Sequence, residues 1–375
     1  MKMADLEAKH TITPYQLTAI IIATVFGGQV VLAPRAIIEK AETGTMVALL
    51  LGGLIFFGIA LMAIKLGEQY PKETLVDYMP RLWGQKVGGL IVWWFAAVFL
   101  IQFSIILNGF GKVITLFMFD RTPNQVIQIG ILALTVYCAM QDFGTILRVL
   151  QITLLVSSIA LFFIWSTALL NLNPDNLLPF MSSGVSEGLS TVFDMWGMYS
   201  GYEIILLILP LVLRSRTGLT KNVTWAFVIL ILMFEWLFIV IIGVATAKSA
   251  GNIPYPTIIA MRSVELPGTF IERLENYLLL AWVPTVFDSL VIALYGSAQV
   301  IARRYGYADH RPVVLLLAPV LFGGSLIMLY AITALETANK LTNWVGLGFS
   351  LVIIPISLML AWRQKRGINS ATEKS

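Results

Sequence analysis

Apolar residues run along this chain in long blocks, with polar residues confined to the gaps between them. Windows of continuous hydrophobicity fall at about 15–38, 46–66, 87–118, 124–140, 146–170, 189–213, 222–247, 272–300, 312–332 and 341–362. These lengths suit helices that cross about 30 Å of hydrocarbon, which takes roughly 20 residues. The gaps read "YPKETLVDYMPRLWGQK", "DRTPN", "NLNPDN", "RSRTGLTKN" and "ARRYGYADHRP". Trp and Tyr gather at span ends, in "VWWF" and "ENYLLLAW", as suits the headgroup region. The pattern predicts an all-α integral membrane protein with ten transmembrane helices and a single membrane domain. Residues 1–13 and 363–375 are then tails.

Ten spans divide into two sets of five, 14–170 and 188–362. Because five is odd, two such units in tandem run in opposite directions, the inverted-repeat plan of many secondary transporters. The first span of each half carries paired glycines: Gly27 and Gly28 in "TVFGGQVVLAPRAI", Gly197 and Gly201 in "MWGMYSGYEIILLILP". Matching interruptions of this kind point to a midplane binding site, where unwound backbone exposes N–H and C=O groups. Glycine also serves close helix packing in membranes, and both readings stand on sequence alone.

Composition agrees with the pattern. The chain is 58% hydrophobic and 12% charged, whereas a soluble domain carries about 25% charged residues. Of its 25 Lys and Arg, 17 fall on the side of the termini. These include Lys2, Lys9, Lys65, Lys72, Arg214, Arg216, Lys221, Arg303, Arg366 and Lys374. The positive-inside bias then places both termini in the cytoplasm. The loop at about 248–271, with Pro254, Pro256 and Pro267, is the longest on the far side and suits a short helix lying on the outer face. Cys138 excludes an intrachain disulfide and reads as a small packed hydrophobe. His10 and His310 are far apart, and nothing suggests a metal cluster, a cofactor, a nucleic-acid partner or an enzyme.

Three acids fall in mid-span: Glu203, Glu235 and Asp288. A carboxylate there carries an insertion cost of about 2.5–3.5 kcal/mol on the Asp scale. With no mid-span Lys or Arg nearby, each must be protonated, face water, or accept hydrogen bonds. Glu203 follows Gly201 by two residues, which fits either a cap on a broken helix or a gating or ligand-contacting group. Asp288, between Pro284 and Ser289, suits a structural hydrogen bond, a cavity wall or, like Glu203 and Glu235, a proton or gating role. Glu235, flanked by Phe234 and Trp236, suits packing in a protonated form or proton carriage. Ser104, Asn108 and Lys112 recur at i, i+4 and i+8 on the third span, where they line an outer vestibule or bond between helices. Arg35, Glu39, Lys40 and Glu42 read as a solvated loop.

At these residues the chain resembles the spore permease family. These are the polytopic B subunits of GerA-type nutrient germinant receptors, within the amino acid–polyamine–organocation superfamily. The likeness is carried by "ITPYQLTAIIIATVFGGQVVLAPRA", "GEQYPKETLVDYMPRLWGQKVGGLI", "RTPNQVIQIGILALTVY" with "DFGTILRVLQ", "MYSGYEIILLILPLV" and "FIERLENYLLLAWVPTVF". It runs through nearly the whole chain. One departure is "ETGTMV", Glu42 to Val47, where family members often carry Asp-Ala-Trp; a contact shared by the family at this turn is therefore not carried over.

The resemblance implies a LeuT-like fold with broken first and sixth spans. It implies a ligand site built from Gly27, Gly28, Gln29, Tyr199, Gly201, Tyr202 and Glu203. It also implies a small nutrient germinant, an amino acid or sugar, and a place in the inner membrane of a spore. The partners implied are a receptor A subunit and a lipoprotein C subunit, beside membrane lipid. A second functional reading is a proton- or sodium-coupled amino acid transporter. The fifth span, "ILRVLQITLLVSSIALFFIWSTALL", lacks the mid-span lysine of some proton-coupled relatives.

Overall fold

Local chemistry sets where several helices begin. Thr13 and Gln16 form a capping box, and Pro14 occupies the first turn, where its missing N–H costs nothing. Thr74 and Asp77 repeat the device, and Asp142 accepts from the Thr145 N–H. Pro34 and Pro256 open two further helices.

The computed structural model describes residues 12–212, 218–264 and 273–372, with side chains to 365. Lys2, Lys9, Arg214, Arg216 and Lys374, Pro267, and the side chain of Arg366 lie outside the described residues. The helices are α1 (Pro14–Phe26), α2 (Gln29–Leu32), α3 (Pro34–Ala41), α4 (Thr45–Gln69), α5 (Leu75–Trp83), α6 (Gln85–Phe117), α7 (Asn124–Ala139), α8 (Phe143–Thr167) and α9 (Val185–Asp194). There follow α10 (Trp196–Tyr199), α11 (Ile205–Ile208), α12 (Leu219–Ala245), α13 (Ala247–Asn252), α14 (Pro256–Arg262), α15 (Leu274–Arg304), α16 (Arg311–Tyr330), α17 (Ile332–Gly348) and α18 (Ile354–Thr372). Among the described residues the only strand-like pairing is an isolated parallel bridge between Ile12 and Val212.

Eight helical segments are long and apolar enough to cross a membrane. The pair Val185–Tyr199 and Tyr202–Leu211, bent by 54°, makes a ninth. The shorter apolar helix α7 takes the fourth place among the ten expected.

Burial divides the spans into a core and a shell. The segment Pro14–Leu32 is 78% buried and α15 is 72% buried, against 28% for α16 and 33% for the α8 span. The outer faces of α8 and α16 carry exposed Ile152, Leu155, Phe163, Leu316, Val320 and Ile327, the composition expected against lipid tails. The interrupted first span therefore sits at the centre, packed against α12, α8 and α15.

Two stretches differ from the sequence reading. Residues 35–40 form α3, a helix that Pro34 starts, instead of a solvated loop. The tenth span begins at Ile332, directly after Ala331, and not near 341. Its polar first turns, "ITALETANK", depress the hydropathy that marked its start, yet they are rich in helix-forming Ala, Leu, Glu and Lys. The same span contains a π-helical turn, Phe349–Ile353. The loop after α12 holds two short helices, α13 against α3 and α14 against α15. The α14 residue Thr257 donates to the Val30 carbonyl at 2.8 Å.

Candidate functional site

The two interruptions lie side by side at the centre. In the first span α1 ends at Phe26, and a turn at Gly27 and Gly28 leads into α2. Helix ends leave carbonyls without partners, and α15 supplies donors for them. The Trp282 indole N–H donates to the Gly27 carbonyl at 3.1 Å. The Ser289 hydroxyl lies 3.1 Å from the Ala23 carbonyl and 3.0 Å from that of Thr24. This approach needs glycine: a Cβ on Gly27 would stand 1.9 Å from Ser289 Oγ and 2.4 Å from the Thr285 carbonyl oxygen.

In the sixth span Ser200 is extended, and Gly201 takes a φ of +118°, which side chains disfavour. Gly197 stays inside α10, so the break is at Ser200–Gly201. Glu203 lies in the 3-10 turn beyond it, 4% exposed. One carboxyl oxygen accepts the Gly201 N–H at 2.8 Å. The other accepts the Trp196 indole N–H at 3.1 Å and the Ser350 hydroxyl at 2.9 Å. Ser350 belongs to the π-helical turn of the tenth span. Glu203 therefore ties both sides of the break to a third element, and its geometry is that of a cap.

Between the two breaks lies a cavity of about 20 Å³, lined by Thr24, Gly28, Gln29, Gln102, Ser200 and Gly201, among others. It has room for about one water molecule. Above it opens a cavity of about 540 Å³, walled by α2 and α3, α6, α10 and α17, within the usual range for ligand sites. Gln29 lines both. At the opposite end the chain is sealed: the Ile12 N–H donates to the Leu211 carbonyl at 2.9 Å, and Thr18 donates to the Asn222 carbonyl at 3.0 Å.

Of the expected ligand residues, Gly28, Gln29 and Gly201 line the small cavity. Gly27 turns its carbonyl to Trp282. Tyr199 and Tyr202 pack with Phe56 and Phe227, and Tyr199 donates to the Leu49 carbonyl at 3.0 Å. On α6, Asn108 and Lys112 line the larger cavity. Ser104 faces α16, where it donates to the Leu321 carbonyl. The α6 residues bordering the cavity are Gln102, Ile105, Ile106, Asn108, Gly109 and Lys112; Asn108 is fully buried with its amide donating to the Ser325 carbonyl of α16, so the exposed face is rotated from the stripe that polar spacing alone suggests. Gln102 donates to Ser200 at 2.9 Å, a link absent from the sequence reading. A lone amide in an apolar run was its signal.

Asp288 is wholly buried, with both oxygens 2.7–2.8 Å from the Thr153 hydroxyl of α8. It bridges α15 to α8 and lines none of the cavities described here. Thr153→Val is expected to strand this carboxyl at a cost of about 1–3 kcal/mol, while Thr153→Ser keeps the bond. Thermal unfolding of the two purified variants separates them; equal melting would mean that the contact contributes nothing. Glu235 is half-buried on α12 and has no hydrogen-bond or ion-pair partner among the described residues.

Comparison with known proteins now decides the family. The spore permease model, described as "Spore germination protein", matches residues 11–339. This chain belongs to the spore germination protein family. Spore germination protein A2 of Bacillus subtilis (strain 168) is 23% identical over 373 residues, covering 98% of this chain and 100% of that one. Spore germination protein B2 of the same organism is 25% identical over 366 residues, covering 96% and 98%. Among solved structures, the crystal structure of MhsT in complex with L-phenylalanine superposes with a TM-score of 0.69 at 12% identity. That match covers 94% of this chain and 98% of that one. This member of the spore germination protein family is thus a multi-pass membrane protein with the LeuT-like fold, its first and sixth spans broken.

Proposed function

We propose that this chain is the nutrient-sensing membrane subunit of a spore germinant receptor. In this reading a small nutrient, an amino acid or sugar, binds at the midplane between the first and sixth spans. Binding is signalled to an A subunit and a lipoprotein C subunit in the spore inner membrane, with both termini cytoplasmic. One observation carries it: in a spore germination protein, two interrupted spans meet at the floor of an open cavity, around Gly28, Gln29, Ser200 and Gly201. MhsT, which shares the fold, was crystallised with an amino acid.

The mechanism follows from the volumes. A midplane space of about 20 Å³ cannot hold a nutrient, so binding requires the two spans to separate. The ligand then favours a wider state, and its preference between states sets the strength of the signal. The five-span units 14–170 and 188–362 are the bodies proposed to move. Gly27, Tyr199, Tyr202 and Glu203 act in this proposal by shaping the breaks, and Glu235 and Asp288 remain candidates for proton or gating roles.

The test is reconstitution of the purified chain in liposomes, with and without a proton or sodium gradient. The expected result is ligand binding without concentrative uptake, and stable co-purification with a partner that carries a soluble domain. Concentrative uptake by the chain alone would instead support a coupled amino acid transporter, the second reading, which the fold shared with MhsT favours.

A further inference from the structure

At the sealed side, opposite the open cavity, the last turn of α15 meets the first turns of α6. Arg304 closes α15, and Lys86 stands in the first turn of α6. Neither has an ion-pair or hydrogen-bond partner among the described residues. Acids in the adjoining segments are engaged. Glu73 accepts from Arg81 at 3.0 Å. Asp77 accepts the Thr74 N–H at 2.9 Å and stands 4.0 Å from Arg303. Asp309 accepts the Arg311 N–H at 3.0 Å.

A cation at the end of α15 suits the helix dipole, but one at the start of α6 opposes it. The Arg304 guanidinium nevertheless rests on α6, against Gly89. A Cβ built on Gly89 would stand 3.0 Å from Arg304 Nη2, with no other side chain within 4 Å. The missing side chain leaves a notch that the guanidinium fills. Gly89 follows Lys86 by three residues, so the two positions neighbour each other on one helix face. Two cations are thus gathered at a helix end that disfavours them, and the chain supplies no anion. Around them lies an aromatic rim: Trp93 meets Tyr305 edge to face at 6.1 Å, and Tyr305 lies 6.1 Å from Tyr307. All three are exposed, as aromatic residues are at headgroup level. Inward from Lys86, α6 exposes Val87, Leu90 and Trp93. A free phosphate or an acidic protein segment would answer the charges but not this apolar strip. An anionic lipid answers both.

We propose that this corner between α6 and α15 is a binding site for one anionic phospholipid, with its phosphodiester held by Arg304 and Lys86 and an acyl chain laid along Val87, Leu90 and Trp93. A zwitterionic lipid brings its own cation beside the phosphate and is held less tightly.

The test uses the purified full chain in detergent, incubated with dioleoylphosphatidylglycerol or with dioleoylphosphatidylcholine. Native mass spectrometry then counts the lipid retained. The expected result is one phosphatidylglycerol retained about tenfold more tightly than phosphatidylcholine. Arg304→Gln and Lys86→Gln are each expected to weaken it about fivefold, the effect of one cation near a membrane surface. Gly89→Leu fills the notch, keeps every charge and is expected to weaken retention to a similar degree. Lys65→Gln, which removes an exposed cation near the sealed-side end of α4, is expected to change nothing. Equal retention of the two lipids overturns the inference. An equal loss in Lys65→Gln and Arg304→Gln also overturns it, showing diffuse surface charge without a site. Displacement of the lipid by an equal concentration of glycerol 1-phosphate does the same, showing a phosphate site in which the acyl chains play no part. Should Arg304→Gln not fold, Lys86→Gln and the comparison of the two lipids decide.

Discussion

Glu203→Ala is expected to destabilise the protein by about 2–4 kcal/mol, because it leaves a buried donor without an acceptor and a void beside it. The loss is uneven among the three groups that Glu203 holds. The Trp196 indole lies 3.1 Å from Ser350 Oγ and can still donate there. The Ser350 hydroxyl can turn back to a carbonyl of its own helix. The Gly201 N–H has no such alternative, since the break removes its helical partner. Glu203→Gln refines the test. Its amide oxygen can serve Trp196 and Ser350, but its NH2 would then face the Gly201 N–H, donor against donor. The expected cost is about 1–3 kcal/mol. Thermal unfolding in detergent measures both. An unchanged melting temperature in Glu203→Gln would show that the carboxylate does not hold the break. Glu235→Gln, which removes no hydrogen bond, is expected to change ligand response less than Glu203→Gln at equal expression.

The second large effect is expected at Gly27. Gly27→Ala places a methyl 1.9 Å from Ser289 Oγ, 2.4 Å from the Thr285 carbonyl oxygen and 2.8 Å from Ser289 Cβ. Two of these neighbours are backbone or Cβ atoms that cannot rotate away, so α1 and α15 must part. Overpacking of this kind costs about 1–3 kcal/mol and sometimes more. Here it also strains the Trp282–Gly27 and Ser289 hydrogen bonds. Size-exclusion chromatography of the variant should show mostly aggregated protein. Gly28→Ala is the control. Its methyl would meet only side-chain carbons of Ile106, at 3.0 Å and beyond, which can shift. A monodisperse Gly27→Ala, or a Gly28→Ala that aggregates equally, would refute the assignment of the close approach to Gly27.

Both glycine pairs and the long apolar spans were legible in the sequence because hydropathy and helix interruption are local properties. The roles within each pair were not. Gly27 and Gly28 are indistinguishable until α15 is placed against one of them. Gly197 and Gly201 look alike until Gly201 alone adopts a positive φ. Glu203 was found by its charge, but its partner Ser350 lies 147 residues away, on a turn whose π-helical geometry has no sequence signature. The cavity wall was half legible. Asn108 and Lys112 stood out as polar residues in an apolar run, whereas Asn339 and Lys340 were hidden. Helix bordering a water-filled space can be polar, and hydropathy reads such a segment as a loop.

The hydrogen bond from Ile12 to Leu211 has a practical consequence for labelling. It makes the residue just before the first span part of the seal opposite the open cavity. A bulky fusion joined directly upstream would load that seal and bias the protein before any ligand is added. At the other end, α18 packs along α4 and α5, away from the breaks. Fluorescent or affinity tags therefore belong at the C-terminus. An N-terminal fusion that fails to respond would report a jammed seal before it reported a lost binding site.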